Sequence, residues 1–232
     1  MVTDKVVLIT GAFSGIGKAV AEIMMQAQAK VVAVGRNGEN KVPSFRSNYL
    51  PVIRNIKSKE DGEAIVEFAL EKFKHIDIIL HCAGKGILKP ATQLQSSDFE
   101  KMMQDNFFSA LHVTQAALPH LISRNQGMLI YFPGILGKTT MPQSAAYSAS
   151  KYALTGYAKS LKEDLKRTQL RISTLYFGGV NSEFWNEIDL SVRKDQFISV
   201  QEAARAVWFV CQQNDNGVLS ELVLQPFSHQ AI

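Results

Sequence analysis

Val6-Val7-Leu8-Ile9-Thr10-Gly11-Ala12-Phe13-Ser14-Gly15-Ile16-Gly17 is the stretch that decides the fold. It opens as a β-branched run and stops at Gly11. Helical spacing then takes over, with Ile16, Val20, Ile23, Met24 and Ala27 on one face. A strand, a glycine-rich turn and a helix in that order make a phosphate site. The glycines permit a tight turn and let a diphosphate approach the backbone, and the helix offers free N–H groups and a positive dipole end. Glycine spacing alone says little; its place between a strand and a helix points to a dinucleotide held by Gly11, Ser14, Gly15, Ile16 and Gly17. The alternative is an ordinary glycine-rich turn.

Outward from that turn the pattern repeats. Val31 to Val34 reads as a second strand and Val52-Ile53 as a third, followed by a helix carrying Ile65, Phe68, Ala69 and Phe73. Ile76 to Leu80 is a continuous apolar strand of the kind buried on both faces. Ser97 with Glu100 predicts a capped helix start, and Ser199 with Glu202 a second one. Met128 to Phe132, Ile172 to Phe177 and Leu222 to Leu224 complete the strands, with a long helix from Tyr147 to Lys166. Strand and helix alternate throughout. The expected fold is therefore α/β: a single-domain Rossmann fold over residues 1–232, a doubly wound parallel sheet of about seven strands with helices on both faces. The longest segment without a period, Asn181 to Phe197, falls after a strand's carboxyl end, where ligands bind in such sheets.

Composition excludes several classes. Of 232 residues, 46% are hydrophobic and 20% charged, as in a globular protein. The net charge of +4 is spread along the chain, and its densest group, Lys159 to Arg167, is broken by Glu163 and Asp164, so no nucleic-acid partner is expected. No run approaches the roughly 20 apolar residues of a membrane span. Cys82 and Cys211 lie far apart without metal-ligand spacing; two buried free thiols, no metal and a cytoplasmic location are expected.

Two further features bear on chemistry. The second strand ends at Val34-Gly35-Arg36, without the carboxylate that would hold the ribose hydroxyls of NAD. A guanidinium at Arg36 can pair with the 2′-phosphate of NADP, so NADP(H) is the preferred cofactor and NAD(H) the lesser choice. Tyr147 and Lys151, four residues apart on a helix, share a face. A phenol of pKa about 10 is a poor acid–base catalyst at neutral pH, and a nearby ammonium favours its phenolate. Such a pair can move a proton at a carbonyl oxygen while hydride moves at carbon.

In this order, the Thr10 to Gly17 turn, Ala83-Gly84, Asn106 and Tyr147-Ser148-Ala149-Ser150-Lys151 resemble the short-chain dehydrogenase/reductase family over essentially the whole chain. Gly178, Val180 and Ser182 resemble that family's Pro-Gly-x-Val-x-Thr segment. The resemblance implies that Tyr147 donates the proton in reduction and that Lys151 lowers its pKa and binds the nicotinamide ribose. It implies that Asn106 holds a water in the proton relay. It places Val180 and Ser182 at the carboxamide, Ala83 and Gly84 beside the cofactor, and Asn55 and Ile56 by the adenine. It also implies a small carbonyl or alcohol substrate and a homodimer or homotetramer.

One position departs from the family. Its catalytic serine, about 13 residues before the tyrosine, falls on Gly134, in Tyr131-Phe132-Pro133-Gly134-Ile135. Losing one oxyanion donor costs roughly 10²–10³ in rate, about 3–4 kcal/mol. A water, the Gly134 N–H, or a hydroxyl from Thr139, Thr140 or Ser144 are the candidate replacements. Two readings stand: an NADP(H)-dependent carbonyl reductase or alcohol dehydrogenase with an altered oxyanion donor, and a cofactor-binding pseudoenzyme that senses NADP(H) or scaffolds a partner. His81 is expected to be a satisfied structural imidazole. Phe184, Trp185, Ile188 and Leu190 form either a lid for an apolar substrate or ordinary packing.

Overall fold

The computed structural model describes residues 2–36, 47–188, 193–213 and 216–228. Its strands are β1 (Val6–Thr10), β2 (Lys30–Gly35), β3 (Tyr49–Ile53), β4 (Ile78–His81), β5 (Gly127–Tyr131), β6 (Leu170–Phe177), β7 (Val180–Asn181), β8 (Ile198–Ser199) and β9 (Glu221–Leu224). The helices are α1 (Gly15–Gln26), α2 (Lys59–Phe73), α3 (Ser96–Met103), α4 (Ser109–Arg124), α5 (Ala145–Asp164) and α6 (Val200–Cys211). Seven strands form one parallel sheet in the order β3-β2-β1-β4-β5-β6-β9. The fold is the single-domain Rossmann arrangement expected from the alternation of elements.

Strand pleating sorts the core. Side chains alternate between faces with a period of two. Val7, Ile9, Ile78, Leu80, Met128 and Ile130 therefore join the cluster that contains α1 and α6 residues such as Val20, Met24, Val207 and Val210. Leu8, Ile79, Leu129 and Tyr131 join the opposite one, with Ile65 of α2, Val113 of α4 and Leu154 of α5. The sheet order reverses between β1 and β4, so the carboxyl ends of β1, β4, β5 and β6 open onto one crevice.

Local boundaries differ from the expected ones for identifiable reasons. α3 starts at Ser96, because the Asp98 carboxylate, gripped by Lys89 Nζ at 2.8 and 3.0 Å, accepts the Gln95 N–H at 3.0 Å; Ser97 with Glu100 is not the cap. The second expected box is present: the Ser199 hydroxyl accepts the Glu202 N–H at 3.1 Å. β4 begins two residues late, since Arg124 takes the Ile76 carbonyl at 2.8 Å and the Asp77 side chain accepts the Val6 N–H at 2.8 Å. The segment after β6 is closed by a two-stranded parallel pair, Val180↔Ile198 and Asn181↔Ser199. Cys82 and Cys211 are both free thiols, half-buried and buried respectively. Among the described residues, no helix is long and apolar enough to cross a membrane and no cluster could hold a metal ion.

Candidate active site

β1 delivers the glycine-rich turn to the crevice. Thr10 Oγ1 accepts the Ala83 N–H at 3.2 Å and so ties the ends of β1 and β4 together. Gly11 has φ +68°, and a Cβ there would lie 2.8 Å from the Ala83 nitrogen. A Cβ at Gly17 would lie 2.3 Å from the Gly11 carbonyl oxygen, so the helix can leave the turn this closely only with glycine. Ser14 is the N-cap of α1, but its side chain caps nothing, and the first turn of α1 carries no acidic residue. The helix thus presents amides that an external anion could take. One anion does take one: Glu183 Oε2 accepts the Gly15 N–H at 3.2 Å. A Cβ at Gly15 would lie 3.4 Å from Ser182 Cβ, which sets Ser182 directly beside the turn. The residues present fit a dinucleotide, with a carboxylate standing on the amide that would receive a phosphate.

The residues expected by the adenine lie at the ends of β2 and β3. Arg36 is exposed at the end of β2 and has no partner among the described residues. Asn55 is exposed, while Ile56 is buried in the core beneath it. Gln104 Nε2 donates to the Ile56 and Lys57 carbonyls at 3.4 and 3.2 Å, which fixes that segment.

Tyr147, Lys151, Asn106 and Gly84 meet at the centre. Tyr147 and Lys151 lie on the first turns of α5, with Lys151 Nζ 5.6 Å from the Tyr147 ring centroid. Lys151 is 5% exposed and donates to the Phe132 carbonyl at 2.9 Å. Burial pushes its ammonium down to about 8. Burial pushes the Tyr147 phenol up.

Asn106 sits in a single π turn, Gln104–Phe108, between α3 and α4, a deviation often found at functional sites. Its Oδ1 accepts the Lys85 N–H at 2.8 Å, and its Nδ2 donates to the Lys85 carbonyl and Ser150 Oγ, both at 2.9 Å. A Cβ at Gly84 would fall 2.7 Å from Asn106 Oδ1 and 3.3 Å from Lys151 Nζ, so both polar atoms border the space over Gly84. Asn106 pairs backbone groups at this helix irregularity, next to Lys151.

Gly134 is not a serine site lacking only a hydroxyl. Its backbone has φ 65° and ψ 178°, a region nearly confined to glycine. Its N–H donates to the Leu175 carbonyl at 3.2 Å, so it is not free to serve as the substitute donor. Ser144 is buried and committed: its hydroxyl donates to the Met141 carbonyl at 2.7 Å and lies 2.8 Å from Ser148 Oγ. Thr140, with Ser144 and Tyr152, lines a separate cavity of about 370 Å³ bordered by Lys89.

His81 is buried and only half satisfied. Its Nε2 lies 3.0 Å from Thr114 Oγ1 and its ring stacks on Tyr131 at 4.8 Å, but Nδ1 has no partner. Burial drives its pKa down to about 3, so it stays neutral.

In the segment after β7, Trp185 is anchored as packing. Its Nε1 donates to the Val180 carbonyl at 2.9 Å and its ring lies 5.0 Å from Phe197. Phe184 faces the centre instead, 5.9 Å from the Tyr147 ring. Leu190 lies outside the described residues. The sequence singled out Phe184 only as one of several apolar residues, and gave no signal for the Glu183–Gly15 contact.

Fold and site together define a nucleotide-binding α/β protein of the dehydrogenase type. The profile of the short chain dehydrogenase family matches residues 5–192, and the chain belongs to that family. An uncharacterised oxidoreductase of Staphylococcus aureus (strain MW2) is 29% identical over 230 residues, covering 97% of this chain and 99% of the relative. Among solved structures, a 3-ketoacyl-(acyl-carrier-protein) reductase from Brucella melitensis complexed with NADH superposes with a TM-score of 0.89 at 23% identity, covering 98% of this chain and 99% of that one. An alcohol dehydrogenase from Thermococcus sibiricus complexed with 5-hydroxy-NADP gives 0.86 at 19% identity, covering 98% and 99%. Similarity at these identities speaks to the fold.

Proposed function

We propose that the chain is an NADP(H)-dependent oxidoreductase that interconverts a carbonyl and an alcohol, with residues 1–232 as one catalytic domain. The observation that carries the reading is that Asn106 and Lys151 border the space over Gly84 while the Tyr147 ring lies 5.6 Å from Lys151 Nζ, at the crevice where a dinucleotide fits. A bound nicotinamide supplies or accepts the hydride. The protein does the rest. Gly11, Ser14, Gly15, Ile16 and Gly17 receive the diphosphate. Arg36 takes the 2′-phosphate, Asn55 and Ile56 flank the adenine, and Ala83, Gly84, Val180 and Ser182 line the nicotinamide end.

Tyr147 gives its phenolic proton to the substrate oxygen in reduction and takes it back in oxidation. Lys151 holds the ribose and favours the phenolate. Asn106 fixes the turn beside Lys151, and its Oδ1 retains a lone pair toward the space over Gly84, where a water can connect Lys151 to solvent. With the Gly134 N–H committed, that donor is absent, and a water in the open space at Gly134 takes its place at the substrate oxygen. A cytoplasmic location and a homodimer or homotetramer complete the reading.

The test follows NADPH oxidation at 340 nm over ketones, aldehydes and quinones, with native chain beside Tyr147→Phe. Turnover lost in the variant while NADPH still binds is the expected result; turnover of Tyr147→Phe at the native rate would refute it. The pseudoenzyme reading is favoured by the glycine-only conformation of Gly134. It predicts tight NADPH binding without turnover of any carbonyl.

A further inference from the structure

The turn that follows β7 carries two adjacent side chains into the space the cofactor reading assigns to ligand. Ser182 opens the turn by accepting the Phe184 N–H at 3.4 Å. Glu183 Oε2 accepts the Gly15 N–H, the first residue of α1, across 168 positions of sequence. Phe184 lies 5.9 Å from the Tyr147 ring and so near the strand-four turn that a Cβ at Gly86 would be 2.5 Å from its Cζ. α1 brings no acid of its own to its first turn, and Ser14 does not cap it. The anion on this helix end therefore comes from the far side of the crevice. An unscreened helix N-terminus attracts whichever anion is nearest.

We propose that Glu183 and Phe184 form an internal plug: the Glu183 carboxylate occupies α1 where the dinucleotide's diphosphate binds, while Phe184 covers Tyr147. The inference rests on the cofactor reading above. Cofactor entry then exchanges one anion for another on the Gly15 amide, and the same displacement uncovers the phenol, because the two residues are neighbours in one turn. Trp185, held to the Val180 carbonyl and packed on Phe197, is the fixed base about which the turn moves.

Two variants separate charge from contact. Glu183→Gln removes the charge and Glu183→Ala the acceptor. The first readout is the amide hydrogen exchange of Gly15 in the protein without cofactor, which is expected to be faster in Glu183→Ala. The second is the NADPH dissociation constant by fluorescence titration, expected to be about threefold to tenfold tighter in Glu183→Gln, the scale of one charge-assisted bond lost to a competitor. Inorganic pyrophosphate should also bind Glu183→Gln more tightly than the native chain. An unchanged Gly15 exchange rate, or equal or weaker NADPH binding by Glu183→Gln, would overturn the plug and leave the cofactor site standing. Failure of native chain and variants alike to bind NADPH would overturn the cofactor reading, and the plug with it.

Discussion

Restoring a serine at Gly134 is the obvious way to ask whether this site lacks only a hydroxyl, and the structure predicts that it will not restore one. Gly134 sits at φ 65°, ψ 178°. An L-residue held in such a region costs about 1–3 kcal/mol. Space is not the obstacle, since the nearest atom to a Cβ there would be the Phe177 carbonyl oxygen at 3.5 Å. The conformation is held from both sides: the Gly134 N–H donates to Leu175 at 3.2 Å, and its carbonyl accepts from the Gly137 N–H at 3.0 Å. Gly134→Ser and Gly134→Ala should therefore lose the same 1–3 kcal/mol in urea unfolding. For a chain of 150–250 residues each kcal/mol lowers Tm by roughly 2–4 °C. Turnover by Gly134→Ser should not exceed the native value. A serine variant of native stability that also gained tenfold or more in carbonyl reduction would refute the argument. It would show that the loop relaxes to an ordinary conformation at no cost.

Four further outcomes follow from the same geometry. Arg36→Ala should weaken NADPH binding by about 10- to 100-fold, the scale of hydrogen bonds to a charged group, with little change for NADH; equal losses for both in calorimetric titration would remove Arg36 from the 2′-phosphate. Lys151 is depressed by burial to about 8, against an unfolded value near 10.4. The unfolded chain therefore binds more protons between those values, and stability should rise with pH across that window and lie at its lower plateau below it. The difference in unfolding free energy between native chain and Lys151→Met should change in that window, and a flat difference would refute the shift. Gly84→Ala would drive a methyl to 2.7 Å from Asn106 Oδ1, so kcat should fall while NADPH binding changes less; unaltered kcat would show that this corner gives way. Thr114→Val would strip Tyr131 OH and His81 Nε2 of a shared partner, 2.8 and 3.0 Å away, at a cost of about 2–4 kcal/mol by denaturant unfolding.

The sheet was legible because its inner strands are short, mostly apolar runs set between turns and helical periods. The Thr10 to Gly17 stretch fixed where the first crossover begins. The set of Tyr147, Lys151 and Asn106 was legible through the resemblance; in the structure Asn106 and Lys151 border the space over Gly84, and the Tyr147 ring lies 5.6 Å from Lys151 Nζ. Other features left no local trace. A two-residue strand such as Val180–Asn181 has no period to read, and its pairing with Ile198–Ser199 is visible only in three dimensions. The π turn around Asn106 inserts one residue into an otherwise regular helical pattern. The capping box expected at Ser97 lost to Asp98, because Lys89, from a different segment, holds that carboxylate in place. His81 looked like an imidazole that would be satisfied, yet its Nδ1 faces no partner, which only the packing could disclose.

The two departures of this site have a common physical origin in β6. The loop after β5 is laced to that strand through the Gly134 N–H and the Leu175 carbonyl, and two residues further on the Phe177 carbonyl is the nearest atom to where a Gly134 side chain would begin. A side chain introduced there would begin 3.5 Å from that carbonyl oxygen. Past Phe177 the same chain runs through Val180 into the turn that lays Glu183 on α1 and Phe184 on Tyr147. The loop that would supply the oxyanion donor and the turn that covers the phenol are thus both fixed to the end of β6. A displacement of that strand end on cofactor binding would loosen the Gly134–Leu175 bond and withdraw the plug together. Hydrogen exchange of the Gly134 and Gly15 amides on NADPH addition reads the two contacts separately. A rise at Gly134 accompanying release of Glu183 would couple donor loop to plug, whereas a Gly134 amide that stays protected would make the altered donor a fixed property of the scaffold.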